Sequence, residues 1–292
     1  MKYLISGATG FVGKHLLNHL RGEGQEVEII SRQPGIGRDW TMESLLPAAL
    51  EADVVVHLAG AGVMDAAWSP ARELELESSR VETTTMLARA CADAWKQGHK
   101  LQLISASAVG YYGPHPFEEV QEESSPAGED FLAQLCAKWE AALGAAKEAG
   151  VPVSVVRIGV VLGAEGGALK RMLLPFKLGL GGPLGHGRQG FPWIHVQDLA
   201  RLFEFIGQDR GRAGIYNGVA PECVDQRTFA RALGRAVHRP ALLPAPALAL
   251  RLILGERSTL LLTGQQVQPK AALAAGFAFE YPLMDQALAN IC

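Results

Sequence analysis

The chain has few cysteines for its length, and their spacing does not pair them. The 292 residues include four, which are far apart along the sequence: Cys91, Cys136, Cys223 and Cys292. Because there is no CxxC pair and no cluster of cysteine with histidine, the sequence favours neither a disulfide framework nor a zinc site. We predict reduced, mostly buried thiols and no bound metal.

The chain also lacks a large net charge and a long apolar run. A formal net charge of -3 gives no bulk attraction for nucleic acid or for an anionic membrane, so we expect neither as a partner. The most apolar late stretch, residues 241–254, is too short to span a bilayer and contains Pro244, Pro246 and Arg251. Because the first predicted strand begins at residue 2, we expect no secretory signal and a cytoplasmic protein, or one in an organelle matrix after processing.

What is present is an ordinary globular balance, with 48% hydrophobic and 20% charged residues. Strand patterns lie at residues 2–6, 26–31, 54–58, 101–106 and 153–158, and helical patterns lie between them at 13–21, 71–95 and 130–149. Several of the strands are continuous Val/Ile/Leu runs, as in a parallel sheet covered on both faces. The alternation predicts an α/β fold with a doubly wound parallel Rossmann sheet.

Beyond residue 163 the sequence becomes rich in glycine loops, and then yields a helical pattern over 198–206. Prolines, a short apolar helix and a polar segment follow near the end. We therefore divide the chain into a Rossmann domain, residues 1–238, and a small C-terminal lobe, residues 239–292.

A glycine-rich turn directly follows the first predicted strand, with the sequence Gly7-Ala8-Thr9-Gly10-Phe11-Val12-Gly13. Gly7 allows a tight turn, Gly10 lets the backbone approach a pyrophosphate, and Gly13 lets the next helix lie close on the sheet. The N-terminus of that helix supplies free N–H groups to phosphates. The turn predicts a dinucleotide site; the alternative is a glycine turn in an ordinary βαβ unit.

The residues after the second strand indicate which nicotinamide cofactor binds. An acid would receive the ribose hydroxyls of NAD there, but the sequence has Ser31 and Arg32. A guanidinium can hold a 2′-phosphate by charge-assisted hydrogen bonds, so we predict NADP(H) rather than NAD(H). The alternative is that Arg32 is a solvated residue after a strand.

The third predicted strand ends in His57-Leu58-Ala59-Gly60, where small residues let the backbone come near a flat ligand. We expect His57 to be a hydrogen-bonded polar residue at a strand end rather than an acid or base. Arg80, on the next helix, is equally compatible with a surface cation and with a cofactor contact.

Several segments resemble one superfamily when they are taken together: Gly7 to Gly13, His57 to Gly60, Ser105-Ala106-Ser107-Ala108-Val109-Gly110-Tyr111-Tyr112-Gly113, and Trp193-Ile194-His195-Val196-Gln197-Asp198. They are similar to the extended short-chain dehydrogenase/reductases, which include nucleotide-sugar epimerases and dehydratases. Further segments resemble the atypical branch called epimerase family protein of the short-chain dehydrogenase/reductase 39U type: Lys138-Trp139-Glu140, 157–163, 172–183, 191–195 and 217–221.

The resemblance implies a Rossmann fold, NADP binding and a C-terminal lobe of its own type. It places cofactor contacts at Gly7, Gly10, Gly13, Ser31, Arg32, Leu58, Ala59, Glu75, Arg80 and Val161. With the rest of the turn and the neighbouring strand ends, the predicted set also includes Thr9, Phe11, Val12, Gly60, Ser105 and Lys138.

The resemblance also reveals a missing residue. Working members of the superfamily carry a tyrosine and a lysine one helical turn apart, with a serine that orients the reacting group. Here Ser107 matches the serine and Lys138 the lysine, but Gln134 stands at the tyrosine position. A primary amide does not exchange a proton near neutral pH, so the usual mechanism is in doubt.

Three interpretations remain open for the site. Hydride transfer proceeds with Tyr111, Tyr112 or water as the proton relay; the site uses a different chemistry; or the fold binds NADP without turnover. We take Ser107, Lys138 and Tyr111 as the predicted catalytic residues, against the alternatives that the tyrosines only pack and that Ser107 only forms a turn.

The substrate side departs from the sugar-nucleotide pattern as well. The usual arginine before the aromatic-Ile-His motif is absent, since Gln189-Gly190-Phe191-Pro192 precede Trp193 and the nearby cation is Arg188. We expect His195 and Asp198 to cap and fix a helix. Phe191 and Trp193 either line an apolar pocket or pack against the lobe.

The leading prediction is an NADP(H)-binding oxidoreductase or epimerase that acts on an unidentified small molecule held between the Rossmann domain and the lobe. The alternative is a non-catalytic NADPH-binding sensor or scaffold with a protein partner.

Overall fold

The computed structural model describes residues 1–33 and 35–292. The strands of this part of the chain are β1 Lys2–Ser6, β2 Glu26–Ile30, β3 Val54–His57, β4 Gln102–Ala108, β5 Val120–Gln121, β6 Val153–Ile158, β7 Val160–Leu162, β8 Trp193–His195, β9 Ile215–Gly218 and β10 Gln266–Val267.

The helices are α1 Phe11–Gly22, α2 Met42–Glu51, α3 Pro70–Lys96, α4 Phe131–Ala141, α5 Gly144–Glu148, α6 Gly167–Lys177, α7 Val196–Gly207, α8 Gln226–Ala236, α9 Ala247–Leu254, α10 Thr259–Leu262, α11 Lys270–Ala274 and α12 Met284–Ile291. Short 3-10 turns lie at Val109–Tyr112, Arg210–Arg212 and Gly255–Ser258.

The central sheet has six strands in the order β2-β1-β3-β4-β6-β9, and all neighbouring pairs are parallel. The chain runs from β1 to β2 on one side and then returns to place β3 on the other side of β1. This reversal makes a crevice at the carboxyl ends of β1 and β3, where ligands of such sheets bind. The prediction of a doubly wound parallel Rossmann sheet is confirmed.

Alternation along the strands sends side chains into two core layers. On β1, Tyr3 and Ile5 pack with α1 and α7, whereas Leu4 packs with α2 and α3. The three valines of β3 divide in the same way, because successive strand residues point to opposite faces. Both faces of the sheet are therefore covered, which explains the apolar runs in the sequence.

Some element boundaries differ from the predictions. The single helix expected over 130–149 is wrong: the structure has α4 and α5, separated at Ala142 and Leu143. Gly144, a poor helix former, begins the second helix. The helices α2 and α8 and the edge strand β9 were not predicted at all.

The C-terminal residues pack back on the rest of the chain. Strand β10 pairs with β5, with Gln266 opposite Val120, and residues of α12 join those of α8 in a third core cluster. Buried Asp198 on α7 accepts hydrogen bonds from the backbone N–H groups of Glu280 and Tyr281, both at 2.8 Å. The predicted domain boundary between residues 238 and 239 stays a prediction.

None of the helices that the structure describes is long and apolar enough to cross a membrane.

Candidate functional site

The glycine turn lies against the end of β3. Gly7 has a φ of 75°, and a Cβ added to it would stand 2.7 Å from the carbonyl carbon of Leu58 and 2.8 Å from the nitrogen of Ala59. A Cβ on Gly13 would collide with the carbonyl oxygen of Gly7 and approach the Cα of Ala8 to 2.6 Å. Side chains at either position would push apart the turn, the helix and the neighbouring strand end.

The turn leaves the start of α1 open to an anion. Gly10 is the N-cap and offers no side-chain acceptor, and the first turn of the helix contains no acidic residue. The N–H group of Gly10 itself donates to the carbonyl oxygen of Gly7 at 3.0 Å, which tightens the turn. Free helix N–H groups and the positive end of the helix dipole favour a phosphate at this place.

The residues after β2 keep one arginine available. Ser31 is buried, and its hydroxyl oxygen accepts a hydrogen bond from the N–H group of Gln33 at 3.0 Å. Arg38 is already paired with Glu28, whereas Arg32 is exposed and forms no ion pair within residues 1–33 and 35–292. The guanidinium of Arg32 is therefore the cation available beside the crevice.

His57 is a buried, hydrogen-bonded residue, as predicted. Its Nδ1 lies 2.6 Å from the hydroxyl oxygen of Ser6, and its ring is wholly buried. Burial lowers the pKa of His57 to about 3, with a smaller contribution from the charge of Arg80. The imidazole is neutral at ordinary pH and connects β1 to β3 beneath the turn.

Arg80 holds the loop that follows β3. The guanidinium donates hydrogen bonds to the carbonyl oxygens of Leu76 and Ala61, at 3.0 and 2.8 Å, and lies 5.2 Å from the ring centroid of Trp139. A Cβ added to Gly60 would stand 3.3 Å from the guanidinium carbon of Arg80. Arg80 is half-buried, so it is not a free surface cation, and burial lowers its pKa.

A buried polar cluster surrounds Ser107 at the end of β4. The hydroxyl of Ser107 donates to Oε1 of Glu140 at 2.8 Å. Arg157, on β6, donates from Nε to the same oxygen and from Nη2 to the other, both at 2.9 Å. Burial would lower the pKa of Arg157, but its hydrogen bonds to Glu140 and Tyr112 raise the pKa above the ordinary value.

The two tyrosines differ in their access to solvent. Tyr112 is fully buried; its hydroxyl donates to Oδ1 of Asn217 at 2.6 Å and accepts from Arg157 at 3.1 Å. Burial raises the pKa of Tyr112, so it is a structural phenol. Tyr111 is half-buried, and its ring centroid lies 3.4 Å from the guanidinium carbon of Arg157. Of the two tyrosines, Tyr111 is therefore the one with partial exposure to solvent.

The structure brings Ser107 and Tyr111 to one cluster but directs Lys138 elsewhere. The Lys138 side chain is 53% exposed, and its ammonium donates to Glu77 at 2.7 Å. Gln134 is one helical turn earlier and donates to the carbonyl oxygen of Glu129 at 2.9 Å. The catalytic roles of Ser107, Lys138 and Tyr111 stay predictions.

The other predicted cofactor residues lie at or near the same edge of the sheet. Ser105 is buried in β4, and its hydroxyl donates to the carbonyl oxygen of Ala106 at 3.0 Å. Val161 is half-buried in β7 and packs on the core. Glu75 is exposed on α3 and forms an ion pair with Arg72 at 2.6 Å.

Sequence reasoning missed the polar network around Arg157. The Oε1 atom of Glu123 accepts hydrogen bonds from the N–H groups of Asn217 and Ala271, at 3.0 and 3.1 Å. One signal was available: Arg157 is the one charged residue in a strand of Val, Ile and a single Ser, and a charged residue is rarely buried without a partner. The resemblance motifs also contained Glu140 and Asn217, but they assigned no role to them.

The residues expected on the substrate side are packed. Trp193 is 1% exposed and donates to the carbonyl oxygen of Glu222 at 3.0 Å, and Phe191 stacks on Phe229 with ring centroids 4.1 Å apart. Of the two open interpretations, the structure favours packing over a pocket wall. His195 caps α7, as predicted, because its Nδ1 accepts from the N–H group of Gln197 at 3.2 Å.

Two arginines bind the loop that follows β3. Arg171 on α6 and Arg257 after α9 both donate to the carbonyl oxygen of Met64, at 3.5 and 3.2 Å. The loop after β3 is thereby tied to α6 and to the C-terminal residues. Within the described ranges, no group of three or more His, Cys, Asp or Glu side chains is placed to hold a metal ion.

Comparison with known proteins matches two family models to this chain. The NAD dependent epimerase/dehydratase family covers residues 3–217, and a domain of unknown function, DUF1731, covers residues 245–291. The chain is 43% identical over 298 residues to the epimerase family protein SDR39U1 of Mus musculus, with 100% of this chain and 99% of that protein covered.

Solved structures agree with the sequence comparison. Human epimerase family protein SDR39U1 (isoform 2), crystallised with NADPH, has a TM-score of 0.91 and 38% identity over 100% of this chain and 99% of that one. A nucleoside-diphosphate sugar epimerase from Corynebacterium glutamicum has a TM-score of 0.80 and 30% identity over 99% of this chain and 57% of that one. The resemblance on which the sequence analysis relied is confirmed.

Proposed function

Because the chain belongs to the NAD dependent epimerase/dehydratase family, we propose that it binds NADP(H) and acts as an oxidoreductase or epimerase on a small molecule. One observation carries this proposal: the side-chain-free turn from Gly7 to Gly13 lies against Leu58 and Ala59 and opens onto the uncapped start of α1. The human relative, whose structure contains NADPH, supports the choice of cofactor.

The residues present fit a phosphorylated dinucleotide. The first turn of α1 would hold the pyrophosphate, since it offers N–H groups without a competing carboxylate. Arg32, exposed and without an ion pair in the described residues, would hold the 2′-phosphate, with Ser31 beside it. When bound, the nicotinamide supplies or accepts a hydride.

Residues of the chain itself must donate or accept the proton that accompanies hydride transfer. Because the Ser107 hydroxyl donates to Glu140, its oxygen would serve as an acceptor for a substrate hydroxyl. Arg157 holds both oxygens of Glu140, so the serine has a fixed orientation. We assign the proton-relay role to Tyr111, since Tyr112 is fully buried and bonded to Asn217.

The small-molecule substrate would enter between the sheet edge and the C-terminal residues. Arg171 and Arg257 both donate to the carbonyl oxygen of Met64 and so fix the loop that follows β3. With Trp193 packed in the core, its ring supplies no wall for the substrate.

The test has two stages. Calorimetry with NADPH and NADP+ comes first, and the absence of any binding heat from both would overturn the proposal. Panels of carbonyl and alcohol substrates then follow, with NADPH absorbance as the readout. We expect turnover with at least one substrate and a loss of at least about tenfold in Tyr111→Phe.

Two further variants test the choice of Tyr111 as the proton relay and the non-catalytic alternative. Tyr112→Phe removes a buried hydroxyl and should lower stability more than Tyr111→Phe does, while leaving the proton relay in place. Tight NADPH binding without turnover on any panel, even in Gln134→Tyr, would refute the enzyme and favour the sensor or scaffold.

A further inference from the structure

A cleft of about 370 Å³ opens between α1, the start of α7 and the end of α12. The polar residues that line it include His15, Asn18, His19, Glu165, His195 and Asn290. None of the Ser107 cluster lines this cleft, and neither does Arg32. It is therefore a separate concavity from the dinucleotide crevice.

The tautomer of His195 is fixed by the helix that it caps. Its Nδ1 accepts a hydrogen bond from the N–H group of Gln197, so in the neutral ring the proton is on Nε2. His195 is 3% exposed, and burial lowers its pKa, which favours this neutral form. The Nε2 atom makes no hydrogen bond of ordinary geometry among the described residues, although the side chain of Asn290 is near enough to act against the lowering of the pKa of His195. A buried donor thus remains unused on the wall of the cleft, and an unsatisfied buried donor is costly.

A second histidine of the cleft is in a similar situation. The Nε2 atom of His15 is buried and makes no hydrogen bond within the described chain. A carboxylate oxygen of Glu165 stands 3.6 Å from it, beyond hydrogen-bond reach, on a side chain that is 79% exposed. His19 differs, because its ring nitrogen is satisfied by Glu204 at 2.6 Å.

We propose that this cleft is a binding site for a small organic carboxylate. A carboxylate is an acceptor only, which is what the Nε2–H of His195 requires, and its second oxygen can accept from His15. The amide of Asn18, which also lines the cleft, can turn its donor end toward the same ligand. Glu165 competes for this position weakly, since its exposed side chain can swing into solvent.

The same geometry argues against a metal ion at this place. A metal would need an unprotonated Nε2 on His195, and the N–H group of Gln197 already occupies the other ring nitrogen as a donor.

The experiment titrates the full-length protein with succinate while long-range ¹H–¹⁵N NMR follows the histidine rings. We expect saturable shifts of the Nε2 signals of His195 and His15, with a Kd of about 1 mM or tighter. Succinamide, which has the same size without charge, should shift them less. Shifts that do not saturate, or equal shifts with sodium sulfate at matched ionic strength, would overturn the proposal.

Two variants are expected to change the succinate affinity in opposite directions. Glu165→Gln removes the competing carboxylate and should tighten succinate binding by about threefold, whereas His15→Phe should weaken it by about tenfold or more. Glu23→Gln, an exposed acid just after α1, is the matched control and should leave the Kd unchanged. Unchanged or weaker binding in Glu165→Gln contradicts the proposal, and this readout does not depend on altering the helix cap at His195.

Discussion

The ion pair of Glu140 and Arg157 should dominate the stability of the site. Glu140 accepts three hydrogen bonds, from Ser107 at 2.8 Å and from two nitrogens of Arg157 at 2.9 Å. The Arg157 side chain is 2% exposed and that of Glu140 is 11% exposed, so neither charge is well solvated. Glu140→Gln keeps the shape but leaves the guanidinium without a counter-charge and places an amide donor in a position that needs an acceptor.

Breaking a buried pair in this way lowers the free energy of unfolding by about 3–5 kcal/mol. An ordinary domain has a total of only about 5–15 kcal/mol, so the loss is a large part of it. Urea unfolding, followed by circular dichroism, measures the loss as a lower midpoint at an unchanged m-value. The matched control is Asp285→Asn. Its carboxylate also binds an arginine, Arg235, with two oxygens, but the two side chains are 66% and 60% exposed. There the loss should be about 0–1 kcal/mol.

A double variant separates the charge from the packing. Glu140→Leu with Arg157→Met removes both charges, so it should be more stable than Glu140→Gln alone. If Glu140→Gln costs no more than Asp285→Asn, the reasoning from burial is refuted. The same follows if the double variant is the least stable of the set.

Three further predictions concern the dinucleotide crevice and its support. Arg32→Ala should weaken NADPH binding by about tenfold or more and leave NADH binding unchanged, with exposed Arg89→Ala as a calorimetric control that alters neither. Gly13→Ala should abolish NADPH binding and lower the melting temperature, whereas Gly22→Ala, with no atom within 4 Å of the added Cβ, should leave binding intact. Because the folded-state pKa of His57, about 3, lies below the unfolded value, its contribution is complete above pH ~6.5 and is lost as the pH falls toward 3, by at most about 1.4 kcal/mol per pH unit. Acid urea titrations of His57→Gln should show a shallower loss over that window, and an equal slope would contradict the assignment.

The local features were readable from the sequence because each depends on neighbours in the chain. The glycine turn and the buried strand runs are patterns of a few residues, and their geometry follows from backbone sterics and alternation. The hydrogen-bonded, structural role of His57 was predicted from its place at a strand end, and its hydrogen bond to Ser6 confirms it.

The polar cluster could not be predicted in the same way, because its members come from separate parts of the chain. Ser107, Glu140 and Arg157 meet only when β4, α4 and β6 are packed. The family resemblance singled out Lys138, which lies on α4, but it did not show that the ammonium binds Glu77. The two residues after Lys138 turn the helix far enough that Glu140, not the lysine, points at Ser107.

The hydrogen bonds of Asp198 affect the order in which parts of the chain can complete their packing during synthesis. Its carboxylate, wholly inaccessible in the finished molecule, accepts from Glu280 and Tyr281, which the ribosome adds 82 and 83 residues after it. Before those residues are made, the carboxylate lacks these two backbone donors, and burying a charge with incomplete partners is costly even beside Arg201. The packing around α7 would then be completed only after Glu280 and Tyr281 have been synthesised.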